Sequence, residues 1–118
     1  MLLNCLAVGC GGFIGSVLRY LAGSVLPHDA FPWHTLAINV LGSFVLALIA
    51  GLVLRGVPLD ERLSLLLRVG ICGGFTTMST FSLEVVQLAS TTSVLAAVGY
   101  AVLTGALCIG ASALGYVL

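Results

Sequence analysis

The chain has 118 residues, of which 60% are hydrophobic and 7% are charged, and its formal net charge is zero. Soluble domains carry about 25% charged residues, and nucleic-acid binding needs a basic surface that four Lys and Arg residues do not provide. The composition therefore excludes a soluble globular domain, a disordered chain and a nucleic-acid-binding protein. The mean hydropathy of +1.25 indicates a protein whose solvent is lipid.

Four long apolar segments occupy most of the chain. A helix needs about 20 apolar residues to cross a bilayer, whereas the strands of a membrane barrel alternate apolar and polar residues. The continuous runs therefore predict an all-α membrane protein with a single four-helix transmembrane domain over residues 1–118. The predicted spans cover about residues 2–26, 34–54, 63–90 and 93–118. Ser90 or Thr91 is expected to cap the fourth helix.

Nothing in the sequence is typical of an enzyme. It contains no catalytic triad, no phosphate-binding loop and no cluster of metal ligands. The four cysteines form no CxxC pair, and we interpret them as small apolar side chains within membrane helices. They are Cys5, Cys10, Cys72 and Cys108. We therefore predict a membrane protein without catalytic activity.

Small residues recur every four positions in the first two segments. Gly11 and Gly15 lie four apart, as do Ser43, Ala47 and Gly51. Such spacing lets the backbones of membrane helices approach each other closely. We interpret these stripes as packing surfaces between helices.

The third segment contains the most polar stretch within any span, Gly73-Gly74-Phe75-Thr76-Thr77-Met78-Ser79-Thr80-Phe81-Ser82. Glycines weaken a helix, and hydroxyls compete for its backbone hydrogen bonds. Two structures remain open. One is a broken helix beside an aqueous cavity, whose freed carbonyl groups can hold a cation. The other is a kink whose hydroxyls bond back to the helix.

Hydrogen-bond donors outnumber acids within the spans. Asn39 and Arg19 both donate, and Tyr100, Thr104, Cys108 and Ser112 recur every four residues along one face of the fourth helix. Glu84 is the only acid that lies clearly inside a span. A cation path is expected to carry more carboxylates, so this inventory favours a small anion.

Three stretches make the sequence similar to the CrcB/Fluc family of fluoride channels. They are residues 11–20, 32–39 and 73–84. The resemblance implies a fluoride-selective ion channel that allows passive fluoride export and reduces fluoride toxicity. It also implies a broken third helix, an antiparallel dual-topology homodimer, and a multi-pass location in the bacterial plasma membrane (the cell inner membrane).

The resemblance also implies roles for individual residues. Arg19 would bias a vestibule toward anions. A structural sodium ion would lie at the dimer interface, held by backbone carbonyls of Gly73 and Thr76 from both subunits. The implied partners are fluoride, sodium, the lipid bilayer and a second copy of the chain. The implied fluoride pore residues are Asn39, Met78, Ser79, Thr80, Phe81, Tyr100, Thr104 and Cys108.

The sequence departs from the pattern of the family at three positions. Met78 stands where the family usually has Phe, and a thioether lacks the positive edge of an aromatic ring. Cys108 stands where a hydroxyl would be the better donor. His34 replaces a usual Gly and is expected to face the membrane interface. We expect conduction to be retained, while the roles of Glu84 and Arg68 stay open.

Two other functions remain as alternatives. A small four-helix proton-coupled multidrug-type exporter would need an acid in the first segment, and residues 2–26 contain none. A membrane assembly factor that transports nothing would use its glycines and hydroxyls for packing alone. Fluoride flux through the purified protein in liposomes separates these alternatives from a channel.

Overall fold

The computed structural model describes residues 1–118 and is entirely helical apart from its loops. Four helices are long and apolar enough to cross a membrane, which confirms the prediction of an all-α protein with four membrane helices. The molecule measures 47 × 29 × 24 Å, and its long dimension matches a bilayer with its headgroups, about 40–45 Å. The spans are α1 (Leu2–Val25), α2 (Trp33–Leu54), a third span (Glu61–Thr91) and α6 (Val94–Val117).

The third span is interrupted in its middle. Its first half comprises α3 (Glu61–Ser64), a π-helical segment (Leu65–Cys72) and the short α4 (Gly73–Phe75). The second half is α5 (Met78–Thr91). Between the halves, Thr76 and Thr77 have extended backbone conformations, with ψ angles of 159° and 118°. The helix is interrupted here, and the hydroxyl of Thr76 also donates back to the carbonyl oxygen of Cys72 at 3.0 Å, so the segment has features of both structures that the sequence left open. We call Thr76–Thr77 the break.

Glycines bring α1 and the first half of the third span into backbone contact. A Cβ atom on Gly70 would lie 2.7 Å from the Cα of Gly11, and one on Gly74 would lie 2.8 Å from the carbonyl oxygen of Gly12. A Cβ on Gly15 would overlap the carbonyl oxygen of Ile71. The small-residue stripe of α1 is therefore a packing surface, as its spacing predicts.

The same kind of contact joins α2 to α6. A Cβ on Gly115 would lie 3.1 Å from the backbone nitrogen of Leu48, and one on Gly51 would overlap the carbonyl oxygen of Tyr116. The hydroxyl of Ser112 donates to the carbonyl oxygen of Ser43 at 3.4 Å. Both sequence stripes of small residues thus lie in helix–helix contacts: one joins α1 to the first half of the third span, and the other joins α2 to α6.

A small apolar core lies beyond the break, among α2, α5 and α6. Leu36, Leu88, Ala97 and Tyr100 are buried there in one cluster. The ring of Tyr100 is fully buried and meets the ring of Phe31 edge-on, with centroids 5.2 Å apart. Only 15 of the 118 residues are buried. Most large apolar side chains therefore face outward, as suits a surrounding of lipid.

The predicted cap of α6 is wrong by two or three residues. Ser93 caps the helix, and its hydroxyl accepts from the backbone nitrogen of Ala96 at 3.0 Å. Ser90 and Thr91 still belong to α5, and their hydroxyls donate to carbonyl oxygens one turn earlier in that helix. Because α5 continues through Thr91, Ser93 is the residue with the extended backbone that a cap needs.

Candidate functional site

The amide of Asn39 on α2 binds the backbone of the break. Its Nδ2 donates to the carbonyl oxygen of Thr77 at 3.0 Å, and its Oδ1 accepts from the backbone nitrogen of Thr77 at 2.9 Å. An interrupted membrane helix needs partners for its freed polar groups, because lipid offers none. The Asn39 side chain supplies both partners at this residue and leaves one amide hydrogen unused by the pair.

Two backbone donors that would close an unbroken helix are diverted at the break. The nitrogen of Thr77 would otherwise donate to the carbonyl of Gly73, and that of Thr80 to the carbonyl of Thr76. Instead, Thr77 donates to Asn39, and Thr80 donates to the hydroxyl of Thr77 at 3.3 Å. The carbonyl oxygens of Gly73 and Thr76 are therefore left for partners outside the helix.

A groove with a volume of about 330 Å³ runs beside the break. We call it the inner groove. It is formed by α2, α5, α6 and the break, and brings together five of the eight predicted pore residues. These five are Asn39, Met78, Phe81, Thr104 and Cys108. Thr104 is 4% exposed, and its hydroxyl is buried without a hydrogen-bond partner. The oxygen is itself enclosed by protein atoms, and an unsatisfied buried hydroxyl is costly, so an acceptor that reached it would remove that cost.

The other three predicted pore residues lie elsewhere. Ser79 is exposed at the start of α5 and lines neither this groove nor the cavity described next. Thr80 lines only that second cavity. Tyr100 is enclosed beneath the inner groove, with its ring 5.2 Å from that of Phe81. Tyr100 therefore supports the groove from behind in this chain.

A second cavity, of about 490 Å³, lies on the other side of the break. We call it the mouth cavity. Arg19, His28 and His34 contribute to its wall. One guanidinium group and two imidazole rings therefore face a space large enough for water. Thr77 lines both the mouth cavity and the inner groove. The two spaces thus adjoin at the residue that Asn39 holds.

Arg19 is also tied to the end of the broken span. Its Nε donates to the carbonyl oxygen of Gly74 at 3.0 Å. The carbonyl groups at the end of a helix carry partial negative charge, which a cation stabilises. Arg19 therefore satisfies a freed carbonyl and places positive charge in the mouth cavity. Arg68 lies in the π-helical segment and lines neither space.

Glu84 contacts three polar side chains next to the mouth cavity. Thr35 donates to its Oε2 at 3.0 Å, Tyr100 donates to its Oε1 at 3.1 Å, and the Nε2 of His34 lies 3.3 Å from Oε2. A carboxylate in a low-dielectric site needs such partners. Glu84 consequently joins α2, α5 and α6.

The contact between His34 and Glu84 differs from our expectation that His34 faces the membrane interface. The ring of His34 is also stacked on that of His28, with centroids 4.4 Å apart. His28 lies in the loop between α1 and α2, and His34 is the second residue of α2. No periodicity links these two positions, so sequence reasoning had no signal for the cluster.

Comparisons with known proteins identify similar sequences. The family described as CrcB-like protein, Camphor Resistance (CrcB) matches residues 6–116. A protein named fluoride-specific ion channel FluC 1, from Nitrobacter hamburgensis, is 45% identical over 109 residues, which cover 90% of this chain and 86% of that protein. A fluoride-specific ion channel FluC from Ruminiclostridium cellulolyticum is 47% identical over 90 residues, covering 74% and 69% of the two chains. A fluoride-specific ion channel FluC from Rhodospirillum centenum is 42% identical over 108 residues, which cover 89% of this chain and 86% of that protein.

Proposed function

This chain belongs to the CrcB family, and from that premise we propose that it is a fluoride-selective ion channel rather than an enzyme. It would let fluoride leave the cell passively and thereby reduce fluoride toxicity. One observation carries the proposal beyond family membership. The mouth cavity and the inner groove adjoin at Thr77, where the broken helix and the Asn39 amide meet.

The inner groove suits a small anion because its wall includes hydrogen-bond donors and no carboxylate side chain. Asn39 keeps one amide hydrogen beyond its pair with Thr77, and the hydroxyl of Thr104 has no protein partner. The ring of Phe81 adds a weakly positive edge. Fixed donors in a narrow apolar path replace the hydration shell of the smallest halide and leave gaps around a larger one. This difference is the proposed source of selectivity.

The mouth cavity would collect anions before they reach the groove. The guanidinium of Arg19 carries a positive charge, and its hydrogen bond to Gly74 holds that charge near the break. A cleft lined by one sign of charge raises the local concentration of the opposite ion. We propose that Arg19 and Thr80 act in this vestibule, while Met78, Phe81, Thr104 and Cys108 act in the groove.

A second copy of the chain would complete the pathway. Met78 is 73% exposed although it belongs to the groove wall, and Ser79 beside it also faces outward. We propose an antiparallel dual-topology homodimer in which a partner covers these side chains. The four arginines of the chain give only a weak charge bias, which permits insertion in both orientations. The proposed location is the bacterial plasma membrane.

The carbonyl oxygens of Gly73 and Thr76 fit the proposed sodium ion. Their usual donors are diverted to Asn39 and Thr77, and carbonyl oxygens are suitable ligands for a hard cation in a broken membrane helix. We propose that these two oxygens from each of two subunits hold the ion at the dimer interface. A bound sodium ion would offset the clustered carbonyl dipoles there and fix the break.

Liposomes that contain purified protein and internal fluoride test the channel. With potassium ions carried by an ionophore to balance charge, we expect rapid fluoride efflux and far slower chloride efflux. Equal pH on both sides should suffice, because a passive channel needs only the fluoride gradient. Equal rates for the two halides, or efflux only with an imposed proton gradient, would overturn the proposal.

A further inference from the structure

Two histidine rings lie together in the wall of the mouth cavity. The ring of His28 stacks on that of His34, with centroids 4.4 Å apart and planes inclined by 27°. They are the two histidines of the chain. His34 stands where the family usually has Gly, so the stacked pair is a feature of this chain that the family pattern does not supply.

The hydrogen-bond partners of the two rings differ. The Nε2 of His28 bonds to the carbonyl oxygen of Gly23, which can only accept, so this nitrogen carries a hydrogen. The Nε2 of His34 lies 3.3 Å from the Oε2 of Glu84, and its Nδ1 is buried without a partner. Because Nδ1 is unpaired in the neutral and in the charged ring, the contact that changes on protonation is the one to Glu84, which becomes an ion pair.

Repulsion between like charges separates the protonation of the two rings. Imidazolium rings stacked 4.4 Å apart repel each other, so the pair takes up its protons in two steps. Glu84 contacts His34 and not His28, so the first proton belongs on His34. The other titratable or charged groups around the pair are Arg19 and Tyr20 in the cavity wall, Tyr100, which donates to Glu84, and Asp29, the exposed neighbour of His28 in the loop.

Protonation of His34 changes the charge balance of the mouth cavity. Glu84 contacts His34 and Thr35 in the cavity wall, so with neutral rings its negative charge opposes the positive charge of Arg19. An imidazolium at His34 pairs with Glu84 and leaves the charge of Arg19 uncompensated. Histidine is the side chain that ordinarily changes charge between about pH 5 and 8.

We propose that His34 is a positioning residue whose protonation strengthens the attraction of the mouth cavity for anions, so that fluoride efflux is faster at acidic pH. The inference rests on the proposed fluoride channel and acts through Glu84 and Arg19. The side chains of His34 and Glu84 are 20% and 15% exposed, so solvent ions screen their pairing less than they screen the attraction of an anion into the open cavity.

The first test follows protonation and does not depend on transport. The full chain in detergent, with isotopically labelled histidine, gives ring signals in nuclear magnetic resonance spectra for two residues, and a His28→Gln variant assigns them. We expect the ring of His34 to become protonated as the pH falls from about 8 to about 5, and the ring of His28 to follow at lower pH. A His34 ring that stays neutral over this range, or a His28 ring that is protonated first, would overturn the proposal.

The second test measures fluoride efflux from liposomes with the same pH on both sides, so that no proton gradient drives transport. Leakage of the neutral acid from protein-free liposomes is subtracted at each pH. At low fluoride and low ionic strength, we expect the parent chain to be several-fold faster near the acidic end of the range than near the alkaline end, with a smaller difference in high salt. His34→Gln should abolish this difference, whereas the matched change His28→Gln should retain most of it.

Two further variants separate charge from structure. His34→Lys keeps a positive charge across this pH range, and Glu84→Gln removes the negative charge that opposes Arg19. Both should be as fast at alkaline pH as the parent chain is at acidic pH. Equal pH dependence in the parent and in His34→Gln would overturn the proposal, as would slow alkaline efflux in both charge variants when they unfold at the temperature of the parent. Absence of efflux from the parent at every pH would instead disprove the channel, and the ring signals would still decide which histidine takes the proton.

Discussion

Asn39 and Thr77 pair in the manner of two peptide groups, although 38 residues separate them in the chain. One amide side chain donates to the carbonyl oxygen of Thr77 at 3.0 Å and accepts from its nitrogen at 2.9 Å. The pair replaces two backbone bonds that the break removes from the third span. Asn39 therefore has a structural task as well as its proposed contact with fluoride, and a substitution there should affect both.

The change Asn39→Asp keeps the shape of the side chain but removes its amide donor. A carboxylate can accept from the Thr77 nitrogen but cannot donate to the Thr77 oxygen, and leaving that part-buried oxygen unpaired costs on the order of 1 kcal/mol. We expect a lower unfolding temperature in detergent and loss of most fluoride efflux, since a negative charge in the groove also repels the ion. Asn4→Asp is the matched control, because the Asn4 side chain only accepts, from Arg62. Equal stability and efflux in the two variants would contradict the assignment.

The close approach of α1 and the third span makes a second prediction. A Cβ on Gly70 would lie 2.7 Å from the Cα of Gly11, and backbone atoms cannot yield as a flexible side chain can. Overpacking of this kind costs about 1–3 kcal/mol. Gly70→Ala should therefore lower the unfolding temperature, whereas Gly9→Ala should not, because a Cβ on Gly9 meets nothing within 4 Å. Thermal unfolding in detergent compares the two variants. An equal fall in their unfolding temperatures would show that α1 and the third span do not approach each other as closely as in this structure.

The sequence was sufficient for the architecture because membrane burial leaves a strong local signal. Apolar runs of spanning length predict four helices, and the Gly11 and Gly15 spacing predicts a close helix contact, since both depend on residues near each other in the chain. The polar run from Gly73 to Ser82 located the irregularity of the third span. Its local residues could not decide between a break and a kink, because the partner that stabilises the break is Asn39, in another helix.

The parts of the site that sequence reasoning missed depend on contacts between distant segments. Arg19 donates to a carbonyl oxygen 55 residues away, and Glu84 on α5 contacts His34 on α2. The inward position of Tyr100 also depends on how α6 rotates against α2, which a four-residue repeat does not determine. Of the repeat, Thr104 and Cys108 line the groove, and the tertiary packing decides which side chains of α6 reach it.

Phe81 gives a third prediction, about conduction. Its ring belongs to the groove wall and lies 5.2 Å from that of Tyr100. Isoleucine keeps the position apolar but removes the positive ring edge proposed to face fluoride. Phe81→Ile should therefore reduce fluoride efflux several-fold while the protein remains folded. Phe13→Ile, on an outward-facing ring that is 73% exposed, should leave the efflux rate unchanged. Retention of full efflux by Phe81→Ile would remove this ring from the pathway.

The carboxylate of Glu84 distinguishes a passive channel from a proton-coupled exporter. Glutamine can still accept the hydrogen bond from Tyr100, but it cannot exchange a proton with solvent. With equal pH on both sides of the liposome, we expect Glu84→Gln to retain fluoride efflux down its own gradient. The measurement is repeated with an imposed pH difference and the same fluoride gradient. Efflux that follows the pH difference in the parent chain and disappears in the variant would favour the exporter.

Arg19 combines a positive charge with a specific donor, and two substitutions separate these properties. Lysine keeps the charge but lacks the planar guanidinium whose Nε donates to Gly74, so Arg19→Lys should lower stability by about 1 kcal/mol while anion capture persists. Glutamine removes the charge, so Arg19→Gln should also slow efflux most at low fluoride and low ionic strength, where electrostatic attraction is least screened. Initial rates across a range of fluoride and salt concentrations, with unfolding temperatures for both variants, measure the two effects. If Arg19→Lys and Arg19→Gln slow efflux equally at every salt concentration, then the charge in the mouth cavity does not collect fluoride, and the contribution of Arg19 is confined to the end of α4.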